Sequence, residues 1–267
     1  MDVFARNHPV IFGFILTVAW VVLLLVFMGI ASSAFHKPYG DAKTGTIGRL
    51  AVTACVLLLL WRLNWLEASG ITRLGNWQVW LLAGIGLVYF ASASLYSFYG
   101  KVAFDFSSLL RLSDSRTIIT TQFVVGVSEE ILFRGLVLYA LTRVWGNTAQ
   151  GIIGGVILTS LLFAALHLTQ VFTQGISPSS ALLLTLETTI LSIWWAALVV
   201  LGGSIWPAVI LHFVVNAVVA LQGLSVPMVE PGILAYRRIF WFSIPLGVLG
   251  IGLLVLSVLH PVFPKAP

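Results

Sequence analysis

The stretch Ser128-Glu129-Glu130-Ile131-Leu132-Phe133-Arg134 places two adjacent carboxylates and an arginine inside an apolar run of about residues 118–141. Such a run can cross a bilayer, which takes roughly 20 residues. Each charged group there costs roughly 2.5–3.5 kcal/mol on insertion scales, so a membrane helix rarely carries one without a use for it. Glu130 and Arg134 are four residues apart, share one helix face and can pair. Glu129 lies about 100° round from Glu130 by the helical period. One carboxylate can therefore be held while its neighbour points elsewhere.

Four further polar groups fall in apolar stretches: His167, Glu187, His212 and Asn216. His212 and Asn216 are four apart and face one way, as are Phe163 and His167. A lone membrane histidine usually serves as an interhelical hydrogen bonder. Three helices that each present such groups point instead to a shared site, because a carboxylate in hydrocarbon needs a partner. Glu187 has no companion on its helix, and its plain reading is a buried hydrogen bond. Together these residues can hydrolyse an amide. A carboxylate can act as general base toward water. An imidazole and an asparagine amide can donate to the oxyanion. An arginine can hold the second carboxylate ionised and in place. Serine nucleophiles are disfavoured, since no membrane serine sits in a Gly-x-Ser-x-Gly turn, and Cys55 has no histidine on its helix.

The elements that must position these groups are transmembrane helices. The 267 residues are 59% hydrophobic and 9% charged, with mean hydropathy +1.04. A soluble domain carries about 25% charged residues. The expected fold is all-α and polytopic, a single integral membrane domain over 1–267. We expect eight spans, at about 10–31, 50–66, 77–98, 117–144, 151–171, 178–201, 204–221 and 239–260. Ala31-Ser32-Ser33-Ala34 resembles a signal-peptidase site, but the preceding run is longer than a signal peptide's apolar region, so the helix is read as retained. Trp61, Trp65, Trp77 and Trp80 are expected at one interface as an aromatic belt. Residues 101–116 mix Phe106, Leu109 and Leu110 with Lys101, Asp105, Arg111 and Asp114; they suit a plain connecting loop, or an interfacial helix that gates the site. The glycines of Gly151-Ile152-Ile153-Gly154-Gly155 permit close helix packing. Pro178 and Pro207 suit first helical turns, and Pro245 a kink. The net charge of +5 is scattered at helix ends, which favours membrane topology over a nucleic-acid partner. Cys55 allows no internal disulfide.

Glu129-Glu130-x-x-x-Arg134, then Phe163-x-x-x-His167, then His212-x-x-x-Asn216 resemble the three motifs of the CAAX protease and bacteriocin-processing (Abi) family, intramembrane endopeptidases related to type II CAAX prenyl endopeptidases. The resemblance covers a motif-bearing core over 117–221. It implies a helical membrane fold with a cavity open to one side. It also implies Glu129 and His167 on the catalytic water, with His212 and Asn216 at the oxyanion. The implied partners are membrane lipid and a membrane-associated or lipidated polypeptide substrate.

Glu129, His167 and His212 can also be read as a two-histidine, one-glutamate zinc site. Against zinc, there is no His-Glu-x-x-His helix, and His212 is paired with an asparagine, a poor zinc ligand. No cofactor is therefore favoured. In other classes, the same groups would serve a proton-coupled transporter as a relay, or stand idle in an immunity or scaffold protein. No repeat or paired broken helix supports the transporter, and intact motifs argue against lost activity. The expected location is a bacterial or archaeal plasma membrane. On the side of both termini lie Arg6, Arg62, Arg73, Arg143 and Lys265. Opposite lie Lys37, Lys43, Arg49, Lys101, Arg111, Arg116, Arg237 and Arg238. The positive-inside rule then puts both termini outside and opens the site to the cytoplasm.

Overall fold

A computed structural model describes residues 2–98, 115–145, 148–173, 175–225 and 242–259. Every element among them is helical: α1 (Asp2–Asn7), α2 (Pro9–Phe35), α3 (Ala42–Arg62), α4 (Trp77–Phe98), α5 (Ser115–Glu130), a π-helical segment (Ile131–Leu138), α6 (Tyr139–Trp145), α7 (Ala149–Ala165), a 3₁₀ turn (Leu166–Thr169), α8 (Gln170–Thr173), α9 (Pro178–Gly202), α10 (Trp206–Ser225) and α11 (Ile244–Leu259). The chain is an all-α membrane protein. Its lipid-facing character is visible on α2, where Val10, Ile11, Phe14, Val18 and Val22 are exposed.

The eight expected spans are not all found. Among the described residues four helices are long and apolar enough to cross a membrane: Pro9–Phe35, Ala42–Arg62, Ala149–Thr173 and Pro178–Gly202. Trp77–Phe90, Trp206–Ala220 and Ile244–Leu256 are shorter apolar helices. The stretch with the two glutamates is divided by its π segment and carries Glu129, Glu130 and Arg134.

Local sequence sets the helix ends. Asp41 caps α3 by accepting from the Lys43 amide at 2.9 Å. Thr148 caps α7 through the Gly151 amide at 3.0 Å. Ser177 accepts from the Ser180 amide, Pro178 opens α9, and Gly203 closes it in the left-handed region with φ 60°. Pro207 stands in the first turn of α10, as expected. Pro245, expected at a kink, stands at the second residue of α11, directly after two π-helical residues at 242–243.

Helix α3 begins eight residues earlier than the expected span, so Lys43 and Arg49 belong to a helix and not to a loop. It also stops at Arg62, which leaves Trp65 in the following turn. There Trp65 is only 6% exposed, packed edge-on against Tyr139 with Arg143 over its ring. It is a core residue, whereas Trp61 and Trp77 are exposed as a belt requires. The turn around Trp65 is fastened to the start of α10. The Ile205 amide donates to the Gly70 carbonyl, Ser204 to that of Arg73, and the Trp206 indole to that of Ile71. Gly70 adopts φ 79°, and a Cβ there would meet the Gly203 carbonyl oxygen at 2.8 Å.

Candidate active site

The site is built where α5 and its π segment, α7, α9 and α10 meet. Helix α5 approaches α10 closely because position 126 is glycine. A Cβ there would meet the Phe213 amide nitrogen at 3.3 Å and the Val209 carbonyl oxygen at 3.4 Å. The expected glycine packing on α7 is also present, since Gly154 lies against the Trp145 ring and Gly155 against Thr142. These contacts hold the helix of the glutamates between the helices of the two histidines.

Directly after Glu130 the helix widens into the π segment, all of whose residues are buried. Single-turn π-bulges inside α-helices are common at functional sites. Here the widened segment spans two turns and carries Phe133 and Arg134 into the bundle interior. Nothing in the sequence pattern announces it.

Glu130 and Arg134 are both fully buried. Glu130 Oε1 accepts from Arg134 Nη1 at 3.0 Å, which is the expected pairing. The same oxygen lies 2.8 Å from His212 Nδ1. A carboxylate oxygen is an acceptor only, so an ionised Glu130 places the proton on His212 Nδ1. The other ring nitrogen, Nε2, is 3.8 Å from Glu129 Oε2. That is too long for a hydrogen bond. One histidine thus stands between the two glutamates, bonded to one and separated from the other by a gap. Glu129 retains 15% side-chain exposure while Glu130 retains none.

Phe163 is the ring around which the site is arranged. It is 2% exposed and lies edge-on to Phe133 at 5.0 Å, His167 at 5.7 Å and His212 at 5.6 Å. The Arg134 guanidinium stands over its face at 4.8 Å. The expected shared face of Phe163 and His167 is therefore present, although α7 tightens to 3₁₀ at Leu166 and takes His167 out of the regular helix. His167 Nδ1 is buried without a hydrogen-bond partner. Asn216, one turn beyond His212 on α10, is half-buried and has no hydrogen-bond partner among the described residues.

Two residues enter that sequence reading passed over. Ser192 Oγ accepts from Arg134 Nη2 at 2.7 Å. Trp195 stacks on His212 with centroids 4.7 Å apart and planes 22° apart. A hydroxyl and an indole three residues apart on an apolar helix were the available signal. Glu187, on the same helix, is buried. Residues 99–114, and with them most of the suggested interfacial gate, lie outside the described residues.

Among the described residues no group of three or more His, Cys, Asp or Glu side chains is disposed to hold a metal ion. Glu129, His167 and His212 do not form such a donor set.

The helical membrane bundle thus encloses a buried Glu–Arg–His network beside a second, partly exposed glutamate. Residues 113–218 match the family model described as type II CAAX prenyl endopeptidase Rce1-like. The matched stretch contains all three motifs and bears out the resemblance drawn from them. Comparisons with curated proteins and with solved structures return no match.

Proposed function

We propose that the chain is an intramembrane endopeptidase that hydrolyses a peptide bond of a membrane-associated or lipidated, CAAX-like polypeptide. The observation that carries the reading is the gap between Glu129 Oε2 and His212 Nε2. An oxygen atom about 2.8 Å from both, an ordinary hydrogen-bond length, closes a triangle on that 3.8 Å base. Glu129 takes the proton of the attacking water as general base, helped by His167. His212 Nε2, once it also carries a proton, and Asn216 donate to the oxyanion that forms on the scissile carbonyl, the Nδ1 proton of His212 being engaged with Glu130. Arg134 and Glu130 hold His212 in register through its Nδ1. The match to a prenyl endopeptidase family over 113–218 supports the reaction class.

On this reading the catalysis is glutamate-driven and independent of metal, within one integral membrane domain whose core is 117–221. The shorter apolar helices and the stretch 115–145 complete the eight crossings, and the site opens toward the cytoplasm. The test is cleavage of a prenylated peptide by purified protein in lipid vesicles, read by mass spectrometry. Turnover by the wild type and none by Glu129→Gln is expected. A well-folded wild type that cleaves neither prenylated nor hydrophobic-tailed peptides sinks the protease reading in favour of a scaffold or transporter.

A further inference from the structure

The three motifs leave α9 without a part in the site, yet α9 touches two members of the buried network, Arg134 and His212. Arg134 sits in a fully buried position and has to present Nη1 to Glu130. Its other terminal nitrogen, Nη2, donates to Ser192 Oγ at 2.7 Å and reaches the Ser192 carbonyl at 3.4 Å. Ser192 itself is fully buried. A guanidinium held at both ends cannot rotate about its last bond. Three residues on, and so on the same face of α9, Trp195 lies against His212, with ring planes 22° apart. It also receives the Arg134 guanidinium at 5.7 Å from its centroid. Phe163 meets His212 edge-on, at 80° to its plane. The imidazole is therefore fixed in plane by Glu130 and against tilting by Trp195 and Phe163.

We propose that Ser192 and Trp195 are positioning residues of this site, a fourth sequence element Ser192-x-x-Trp195 that α9 supplies to the three already recognised. Ser192 acts through Arg134 on Glu130. Trp195 acts on His212 by setting the direction of Nε2 toward Glu129. Neither side chain touches the reacting atoms. The inference rests on the protease reading only for its kinetic arm, since the positioning of His212 can be read without turnover.

The test uses the full chain in lipid vesicles. Ser192→Ala is expected to lower kcat about tenfold, the scale of one lost charge-assisted hydrogen bond, with KM unchanged. Ser192→Thr keeps the hydroxyl and recovers most of that loss. On an Arg134→Lys background Ser192→Ala should cost at most about twofold more, because the two residues act as a unit. Equal losses on both backgrounds would overturn the assignment. Independently of turnover, the His212 ring-proton resonance is identified in labelled protein by its disappearance in His212→Gln. In the wild type it should be shifted upfield by the stacked indole, and Trp195→Leu should remove that shift while Trp195→Phe keeps part of it. An unchanged His212 signal in Trp195→Leu overturns the proposal, whether or not the wild type cleaves peptide. A wild type without turnover whose His212 signal responds as stated removes the protease reading and leaves the positioning intact.

Discussion

At the scale of single residues, the two glutamates differ by environment. Glu130 is enclosed and shared between a guanidinium and an imidazole, while Glu129 keeps some exposure and faces the second nitrogen of the same imidazole. On the proposed reading this division makes Glu129 the general base and Glu130, grouped with it as catalytic from the sequence, the carboxylate that holds His212. Glu129→Gln and His167→Ala are therefore expected to abolish turnover without loss of fold, measured as kcat alongside thermal unfolding. Asn216→Ala should leave a residue of activity, because one oxyanion donor is worth roughly 10²–10³-fold. Arg134→Ala leaves Glu130 buried beside an empty space. Breaking such a pair costs about 3–5 kcal/mol, so folded yield should fall along with activity. Arg134→Lys keeps the charge but loses the second donor to Ser192, and an intermediate loss is expected. A well-folded, fully active Arg134→Ala would show that the ion pair does not position the site.

At the scale of elements, the site depends on how closely α5 meets α10. Gly126 permits that approach, with backbone atoms of α10 facing where its side chain would be. Backbone cannot move aside as a flexible side chain can. Gly126→Ala is expected to cost about 1–3 kcal/mol as overpacking does. By moving α5 away it should also lengthen the 2.8 Å contact of His212 with Glu130. Gly126→Leu should cost more in both. Thermal unfolding in detergent, set against kcat, checks this. If Gly126→Leu unfolds and cleaves as the wild type does, helix approach does not set the geometry. Gly70 is a second such point, because its left-handed φ and its contact with Gly203 fasten the turn after α3 to the start of α10.

At the scale of the whole molecule, apolar helices with exposed Val, Ile, Phe and Leu surround a core that contains buried charge. The bundle interior, and not the lipid, bears the cost of the glutamates and the arginine. Cysteine scanning from outside intact cells checks the orientation: Gln150→Cys should react with an impermeant reagent and Lys101→Cys should not. An externally reactive position 101 reverses the topology. Metal analysis of active, chelator-washed protein checks the mechanism. We expect no stoichiometric metal and undiminished kcat. Stoichiometric zinc whose removal abolishes activity and whose return restores it would replace the glutamate mechanism and keep the protease.

The sequence by itself determined the class of fold and the motif residues. Both are written in local periodicity: apolar runs of spanning length, and polar pairs four residues apart that must share a face. The pairing of Glu130 with Arg134 and the shared face of Phe163 and His167 follow from that spacing, and both are present. Tertiary structure alone decided the rest. Trp65 reads as an interfacial residue from its neighbours, yet it is buried because α3 ends before it and Tyr139 and Arg143 come to it from far along the chain. The π segment leaves no mark on apolar periodicity. Ser192 and Trp195 look like ordinary members of an apolar helix, and only the fold brings Ser192 58 residues back to Arg134 and lays Trp195 against His212. Which nitrogen of His212 meets which glutamate depends on where four helices cross, and no spacing within one helix contains that information.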